Sequence, residues 1–326
     1  MGFIRFIFSV IHLGVVLLLL ATTLNQSISP RSFGPLNLLS LAFPFLMVVN
    51  LLLCMVWIIS WRKRAFIFLA ASLLLINPTR RWINYSPENK ETSDFKVLSF
   101  NIRSSSLNAE GIANYIDNSG ADVVLLQEAT YINPLKNYPY EYTELGLIKV
   151  FSKEPIIKNI EVKTNVDIGR ASYSDIKIKG QTIRFFNLYM EPFQLDKSMV
   201  RPTDNLDENE QKLKGIVKRL IPVFKEHQKQ IDNVTDIVRD SPHPVVFAGD
   251  FNAVPNSYEY YKASQNLVDA FVQAGSGSGT SFHDYKVPLK IDHIFTSNSI
   301  KALTYKVDRD VYISDHFPVM ATFKFK

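Results

Sequence analysis

Seven polar residues stand at or just beyond the ends of short apolar runs: Asn101, Glu128, Asp250, Asn252, Asp292, Asp315 and His316. Carboxylates and amides without a nearby thiol form a donor set for a hard cation bound through oxygen. A carboxylate beside an imidazole fixes its tautomer and raises its basicity, which suits proton transfer. Each signal is weak alone. Asp250-Phe251-Asn252 reads equally as a turn whose side chains bond back to the backbone, and a glutamate just past a buried strand is usually solvated. It is their joint recurrence at strand ends that marks a candidate site on a rigid scaffold.

The runs that must position them alternate between strand and helix patterns. Phe95 to Phe100 alternates as a strand and delivers Asn101, Ile102 and Arg103. A helix over about 109–118, closed by Gly120, leads to the continuous apolar run Val123 to Leu126, a strand covered on both faces, with Glu128 just after it. Further strands are expected around 146–152, at 155–156 and over 171–178, and then at Gln181 to Tyr189, which carries Asn187 and Tyr189 near its end. Residues 204–239 show apolar positions at helical spacing, predicting one long or broken amphipathic helix that covers the sheet and is not a partner-binding device. The strand Val245 to Gly249 then ends at Asp250 and Asn252. Leu267 to Phe271 is expected to close a helix, and Gly275-Ser276-Gly277-Ser278-Gly279 lacks dinucleotide-site spacing and reads as a flexible rim. Two last strands carry Asp292 and follow Ser314-Asp315-His316.

The 326 residues divide sharply in composition. The first 93 hold 8 basic and 2 acidic side chains, whereas the rest hold 28 basic and 29 acidic, so the formal charge of +5 belongs to the N-terminal flanks. That argues against a cationic surface for long duplex DNA. Two nearly uncharged runs, Phe6 to Leu24, broken only by His12, and Leu36 to Ser60, reach the roughly 20 residues that cross a bilayer core. A cleaved signal peptide is the rival reading of the first. A third run, Ala65 to Ile76 within about 65–77, offers roughly 18 Å of helix and spans only if Trp61 and Trp82 sit at opposite interfaces. The chain thus divides into a membrane anchor at 1–83, a polar linker at 84–93 and a soluble domain at 94–326. With the N-terminus cytoplasmic, three spans place that domain outside the cytoplasm, in the periplasm, and two keep it inside; three are preferred, since a wholly apolar segment is poorly suited to exposure. Arg62, Lys63 and Arg64 favour a cytoplasmic second loop, while Arg80 and Arg81 oppose export. Cys54, the only cysteine, lies in the second span, so no disulfide-linked partner is expected.

Over residues 94–326, Leu98 to Arg103, Leu126-Gln127-Glu128, Gly249-Asp250-Phe251-Asn252, Ile291 to Phe295 and Ser314 to Pro318, in that order, resemble the endonuclease/exonuclease/phosphatase superfamily. Its members include DNase I-like nucleases, abasic-site endonucleases, neutral sphingomyelinases and inositol polyphosphate 5-phosphatases, and this chain looks like a membrane-anchored bacterial-type member. The resemblance implies an α/β (α+β) four-layer sandwich, two packed β-sheets flanked by helices, that hydrolyses phosphoesters with Mg²⁺ or Mn²⁺. It implies Glu128 as principal metal ligand with Asn101 and Asp315 nearby, and Asp250 with Asn252 orienting water and phosphate. His316 would contact phosphate or transfer a proton, with Asp292 orienting it, and Arg103 would contact phosphate. Where many members have Asn-x-His, this chain has Asn187-Leu188-Tyr189. The tyrosine is similar to one in the abasic-endonuclease branch, although Pro192 falls one position late for the Tyr-x-Pro pattern there; Tyr189 could donate a hydrogen bond to phosphate and Asn187 help bind it.

The expected function is a membrane-anchored, metal-dependent phosphoester hydrolase of nuclease, phosphodiesterase or phosphatase type. Its partners are the lipid bilayer, through the N-terminal helices, and a substrate that is nucleic acid, a phospholipid headgroup or a phosphorylated small molecule. The alternative is a catalytically weak, membrane-tethered module that binds a phosphorylated ligand, because a tyrosine is a poor proton shuttle near neutral pH.

Overall fold

The computed structural model describes residues 2–60, 63–105, 108–143, 146–285, 287 and 289–326. Trp61, expected at a membrane interface, and Arg62, expected in a cytoplasmic loop, lie outside the described residues. The chain opens with helices α1 (Gly2–Ala21), α2 (Pro30–Phe33), α3 (Pro35–Ile59), α4 (Arg64–Leu73) and α5 (Ile76–Arg80). By length and composition two of these, α1 with its 3₁₀ end and α3, can cross a membrane, and α4 is a shorter apolar helix. α1 and α3 are antiparallel: Leu19 packs near Phe43, and His12 pairs with Asn50 at 3.1 Å. His12, the one titratable residue of the first run, is fully satisfied, because Trp57 donates to its other ring nitrogen at 3.0 Å. α4 returns alongside them. Arg64 donates to the Arg5 carbonyl at 3.0 Å, and Ser72 accepts from Asn50 at 2.9 Å.

Beyond β1 (Ile83–Tyr85), one six-stranded sheet holds β2 (Phe95–Asn101), β3 (Val123–Gln127), β4 (Tyr140–Tyr142), β5 (Lys149–Ser152), β13 (Ile300–Val307) and β14 (Val319–Phe325), in the order β13-β14-β2-β3-β5-β4. The other holds β6 (Ile156–Val162), β7 (Arg170–Ile178), β8 (Gln181–Tyr189), β9 (Val245–Asp250), β10 (Val268–Asp269) and β12 (Asp292–Thr296), in the order β10-β12-β9-β8-β7-β6. In each sheet one central pair is parallel, β2 with β3 and β8 with β9, and the other pairings are antiparallel. Strand alternation then sorts side chains by layer. Phe95, Val97, Val123, Leu125, Phe185, Val246 and Ala248 meet between the sheets. Leu98, Phe100, Val124 and Leu126 face outward to Ile112 and Ile116 of α6 (Ala109–Asn118). On the far side Phe186, Leu188, Val245 and Phe247 meet Ile231, Val234 and Val238. The expected helix–sheet–sheet–helix sandwich is therefore the fold.

The long helix differs from expectation in one half. After α7 (Lys197–Val200), α8 runs unbroken over Leu206–Arg239 with Pro222 inside it. Only its C-terminal half covers the sheet; Leu213, nearer its start, is exposed. Two loop expectations also change. Residues 267–271 do not close a helix: Val268 and Asp269 form a short strand, and Asp269 then caps α10 (Ala270–Ala274), the helix after α9 (Tyr258–Ala263). The Gly/Ser run contains β11 (Ser276–Ser278), which pairs with β1. Buried Asn84 holds it there by donating to the carbonyls of Phe271, Val272 and Gly275.

Candidate active site

The strand alternation that fills the inter-sheet core also builds the site. Asn101 follows Phe95, Val97 and Ser99 on the inner face of β2, Tyr189 follows Phe185 and Asn187 on β8, and Asp250 follows Val246 and Ala248 on β9. Asp292 enters the same rim as the first residue of antiparallel β12, directly across from Asp250, which is itself paired with Tyr189. The C-terminal ends of both parallel pairs thus open on one edge of the sandwich. Gly249 makes the approach possible: its φ is +146°, and an added Cβ would lie 2.0 Å from the Leu188 carbonyl oxygen.

Asn101 is the tie. Its amide nitrogen donates to Glu128 Oε1 at 3.0 Å and to Asp250 Oδ2 at 2.9 Å, and its oxygen accepts from the Arg103 backbone at 3.0 Å. Tyr189 donates to the same Glu128 oxygen at 3.0 Å. Glu128 Oε2 accepts no hydrogen bond from the described residues. Glu128 is held at φ +47°, a left-handed conformation that costs on the order of 1–3 kcal/mol for such a residue. Asn252, at φ +44°, anchors its side chain on the Met190 carbonyl at 3.0 Å, while its backbone donates to Asp250 Oδ1 at 2.8 Å.

His316 lies between two buried carboxylates, with Nδ1 2.8 Å from Asp292 Oδ2 and Nε2 3.8 Å from Asp250 Oδ2. Burial opposes its charge, but Asp292 and Asp250 prevail and raise its pKa to about 10. Burial pushes Asp250 up to about 7, with Asp292 adding to that and His316 opposing it. Tyr189 is raised far above the ordinary phenol range, first by burial and then by the charges of Glu128 and Asp250, so it remains a donor. Ser314 ties the last loop to Asn101 by donating to its carbonyl at 2.8 Å, and Asp315 Oδ2 lies 3.5 Å from Arg103 Nε.

Nine of the ten residues expected in the site thus converge. Asn187 does not reach the rim. It is one step deeper, fully buried, donating to the Leu126 and Lys149 carbonyls and accepting from Gln127 at 2.7 Å, so its amide cross-links the sheets and has no hydrogen left for phosphate. His293, next to Asp292, faces the opposite layer beside Phe251 and Phe295, and burial lowers it to about 4. Two charged residues escaped the sequence reading. Asp284 and Lys197 pair at 2.6 Å at the cavity wall, with Asp284 also 3.9 Å from Arg103; neither follows an apolar run, so strand-end logic had no means of finding them.

The donor set suits a divalent cation. Asp250, Asp292 and His316 lie close enough to share an ion, yet His316 already supplies the positive charge there. Glu128 is half-buried at the cavity, and one of its oxygens accepts no hydrogen bond from the described residues. An all-oxygen set of Glu128, Asn101 and Asp315 matches hard-cation chemistry.

Residues 98–316 match the endonuclease/exonuclease/phosphatase family model, and residues 5–82 match a family described as a domain of unknown function. No curated protein matches the chain. Among solved structures, an endonuclease/exonuclease/phosphatase from Beutenbergia cavernae DSM 12333 is similar at 15% identity and a TM-score of 0.52, covering 72% of each chain. A mannosyl-6-phosphatase from Bacteroides thetaiotaomicron VPI-5482 is similar at 18% identity and a TM-score of 0.51, over 71% of this chain and all of that one. TDP2 from D. rerio, complexed with a single-strand DNA product, is similar at 18% identity and a TM-score of 0.50, over 71% of this chain and 98% of that one. At these identities the likeness is one of fold.

Proposed function

The chain belongs to the endonuclease/exonuclease/phosphatase family, and on that premise we propose that it is a membrane-anchored, divalent-metal-dependent phosphoester hydrolase. The carrying observation is the juxtaposition of Glu128, tied by Asn101 and Tyr189, with the Asp292–His316–Asp250 string at one open rim. That the similar structures include a mannosyl-6-phosphatase and a TDP2 with a DNA product supports phosphoester chemistry without choosing a substrate.

In this reading Glu128, Asn101 and Asp315 would hold Mg²⁺ or Mn²⁺, which would supply charge neutralisation to the phosphoester. Asp250 accepts a proton from the attacking water, and a pKa near 7 suits a general base at neutral pH. Asn252, fixed by Met190, orients phosphate. His316, kept cationic by its two carboxylates, donates to the phosphoryl oxygens as negative charge builds on them. Arg103 adds a second cation at the cavity wall. Asp292 positions His316 and does not itself meet substrate.

The test uses the full chain in detergent with bis-p-nitrophenyl phosphate. Turnover should require Mg²⁺ or Mn²⁺, vanish with a chelator and fall by about 10³-fold in Glu128→Gln. If this diester and the monoester p-nitrophenyl phosphate both survive with either metal, and Glu128→Gln behaves as wild type, the hydrolase reading fails, and a phospho-ligand-binding module takes its place.

A further inference from the structure

The cavity at this site, about 760 Å³, is far larger than a phosphoryl group requires. Its polar end is formed by Glu128, Asn252, Arg103, Asp315 and His316. The long walls on α3 and α8 are hydrocarbon, while Gln194, Asp196, Lys197 and Asp284 add polar groups to the lining. One wall is a face of α3, where Leu38, Leu41, Ala42 and Phe45 recur at helical spacing. That face does not stop at the cavity: Phe45, Val48, Leu52 and Met55 continue it as exposed apolar surface along the part of α3 that runs beside α4. The opposite wall is the half of α8 that covers no sheet, through Leu213, Ile216, Val217 and Leu220, and Val254 and Ile291 close the floor. At the boundary between the two ends sits the Lys197–Asp284 pair.

The α3 and α8 walls offer nucleobases no hydrogen-bonding side chain, and Lys197 of the lining is paired with Asp284, so they lack the cationic track that nucleic-acid grooves provide. They match an alkyl chain, and the exposed stripe on α3 leads from the bilayer to the catalytic groups. We propose that the substrate is a lipid phosphoester, its hydrocarbon chain lying between α3 and the first half of α8 and its phosphoester at Glu128 and His316. This rests on the hydrolase reading above and on α3 crossing the membrane. It gives α8 its unused face and explains why a helix of the anchor lines a catalytic cavity. In the hydrolysis, water oxygen bonds to phosphorus, the bond from phosphorus to the leaving oxygen breaks, and the proton released passes through Asp250.

The test uses the full chain in phosphatidylcholine nanodiscs with Mg²⁺ or Mn²⁺ and three diesters, p-nitrophenyl methyl, butyl and octyl phosphate. Each yields an alkyl phosphate and p-nitrophenolate. In the wild type, kcat/KM should rise by at least about thirtyfold from methyl to octyl as the added methylenes are buried. Ala42→Trp, which fills the groove, and Leu213→Glu, at an exposed position that tolerates charge, should each reduce that octyl-to-methyl ratio to within about threefold. The ratio is taken within each protein, so a lower folded fraction cancels. Partition of the octyl ester into the bilayer is common to all three proteins. A wild-type ratio that persists in both variants overturns the proposal, as does a flat series in wild type that still cleaves the methyl ester; in both cases the hydrolase reading stands. If no diester is cleaved, this proposal fails, and cleavage of the monoester p-nitrophenyl phosphate then decides whether the hydrolase reading stands.

Discussion

His316 Nδ1 lies 2.8 Å from Asp292 Oδ2, with both side chains buried, so the imidazole is held in one orientation and kept cationic by a carboxylate that cannot reach bulk water. A histidine whose folded pKa is raised contributes stability that is full below its unfolded value near 6.5 and is lost as pH rises through the folded value, here about 10. Activity that needs the imidazolium follows the same limb, while Asp250, raised to about 7, must ionise on the acid side. Wild-type kcat/KM should therefore be bell-shaped between about pH 7 and 10. Asp292→Asn should pull the alkaline limb to lower pH, with a loss of about 10²-fold at pH 9 and a smaller one at pH 6. A uniform loss at every pH would show that Asp292 does not act through the charge of His316.

Tyr189→Phe removes the 3.0 Å hydrogen bond to Glu128 but keeps the ring in the core. Because the phenol is held protonated far above its ordinary range, it should take no part in the pH profile. The variant should lose about tenfold in kcat/KM, the worth of one hydrogen bond to a charged group. Its limbs should stay where they were, and it should need more Mn²⁺ for half-maximal rate. A displaced limb would instead make Tyr189 a proton carrier.

The fold and most of the rim were legible because strand alternation is local: the same parity that put Val97 and Ala248 in the core put Asn101 and Asp250 at its edge. The parity also placed Asn187 and Tyr189 on one face, but it is silent on depth, so only Tyr189 reaches Glu128. What sequence periodicity could not supply was the partner of an apolar face. The spacing in 206–220 is as regular as that in 231–238, yet the first half of α8 meets a cavity and α3 while the second meets β8 and β9. Likewise, nothing local in Gly275 to Gly279 announces Asn84, nearly two hundred residues earlier, as the residue that orders it.

Asn37, in the second apolar run, lies 2.8 and 3.0 Å from the two carboxylate oxygens of Glu259 and accepts from the Tyr258 backbone at 2.8 Å. Glu259 is fully buried, and His227 is its other neighbour, at 3.2 Å. Asn37→Leu makes the anchor more apolar, so hydropathy alone predicts no harm. Stranding a buried carboxylate should nonetheless cost about 2–3 kcal/mol in detergent unfolding. Glu259→Gln in the same chain should recover part of that loss, because the uncompensated charge is gone. An unaffected single variant would mean that α3 and the sandwich are not coupled here.

The charge pattern around the anchor left its topology divided, and the contacts of Arg80 and Arg81 bear on that division. Arg80 donates to Asn84 at 2.9 Å, and Arg81 donates to Asn256 at 2.8 Å and lies over the rings of Tyr260 and Tyr261. These two cations are engaged at the junction with the catalytic domain, which supplies a reason for their presence other than retention in the cytoplasm. At the other end Arg64 donates to the Arg5 carbonyl, with Lys63 next to it in sequence, and if α1, α3 and α4 cross a membrane the positive-inside tendency makes this end the cytoplasmic one. α4 alone covers only roughly 15 Å, but Leu74, Leu75 and α5 carry the chain on to Trp82, which packs with Leu75 and Phe43. A reporter that works only in an oxidising compartment, fused after Lys326, should therefore be active, and the same reporter fused before α1 should be silent. Silence at both ends would leave the chain with two crossings and the catalytic rim facing the cytoplasm.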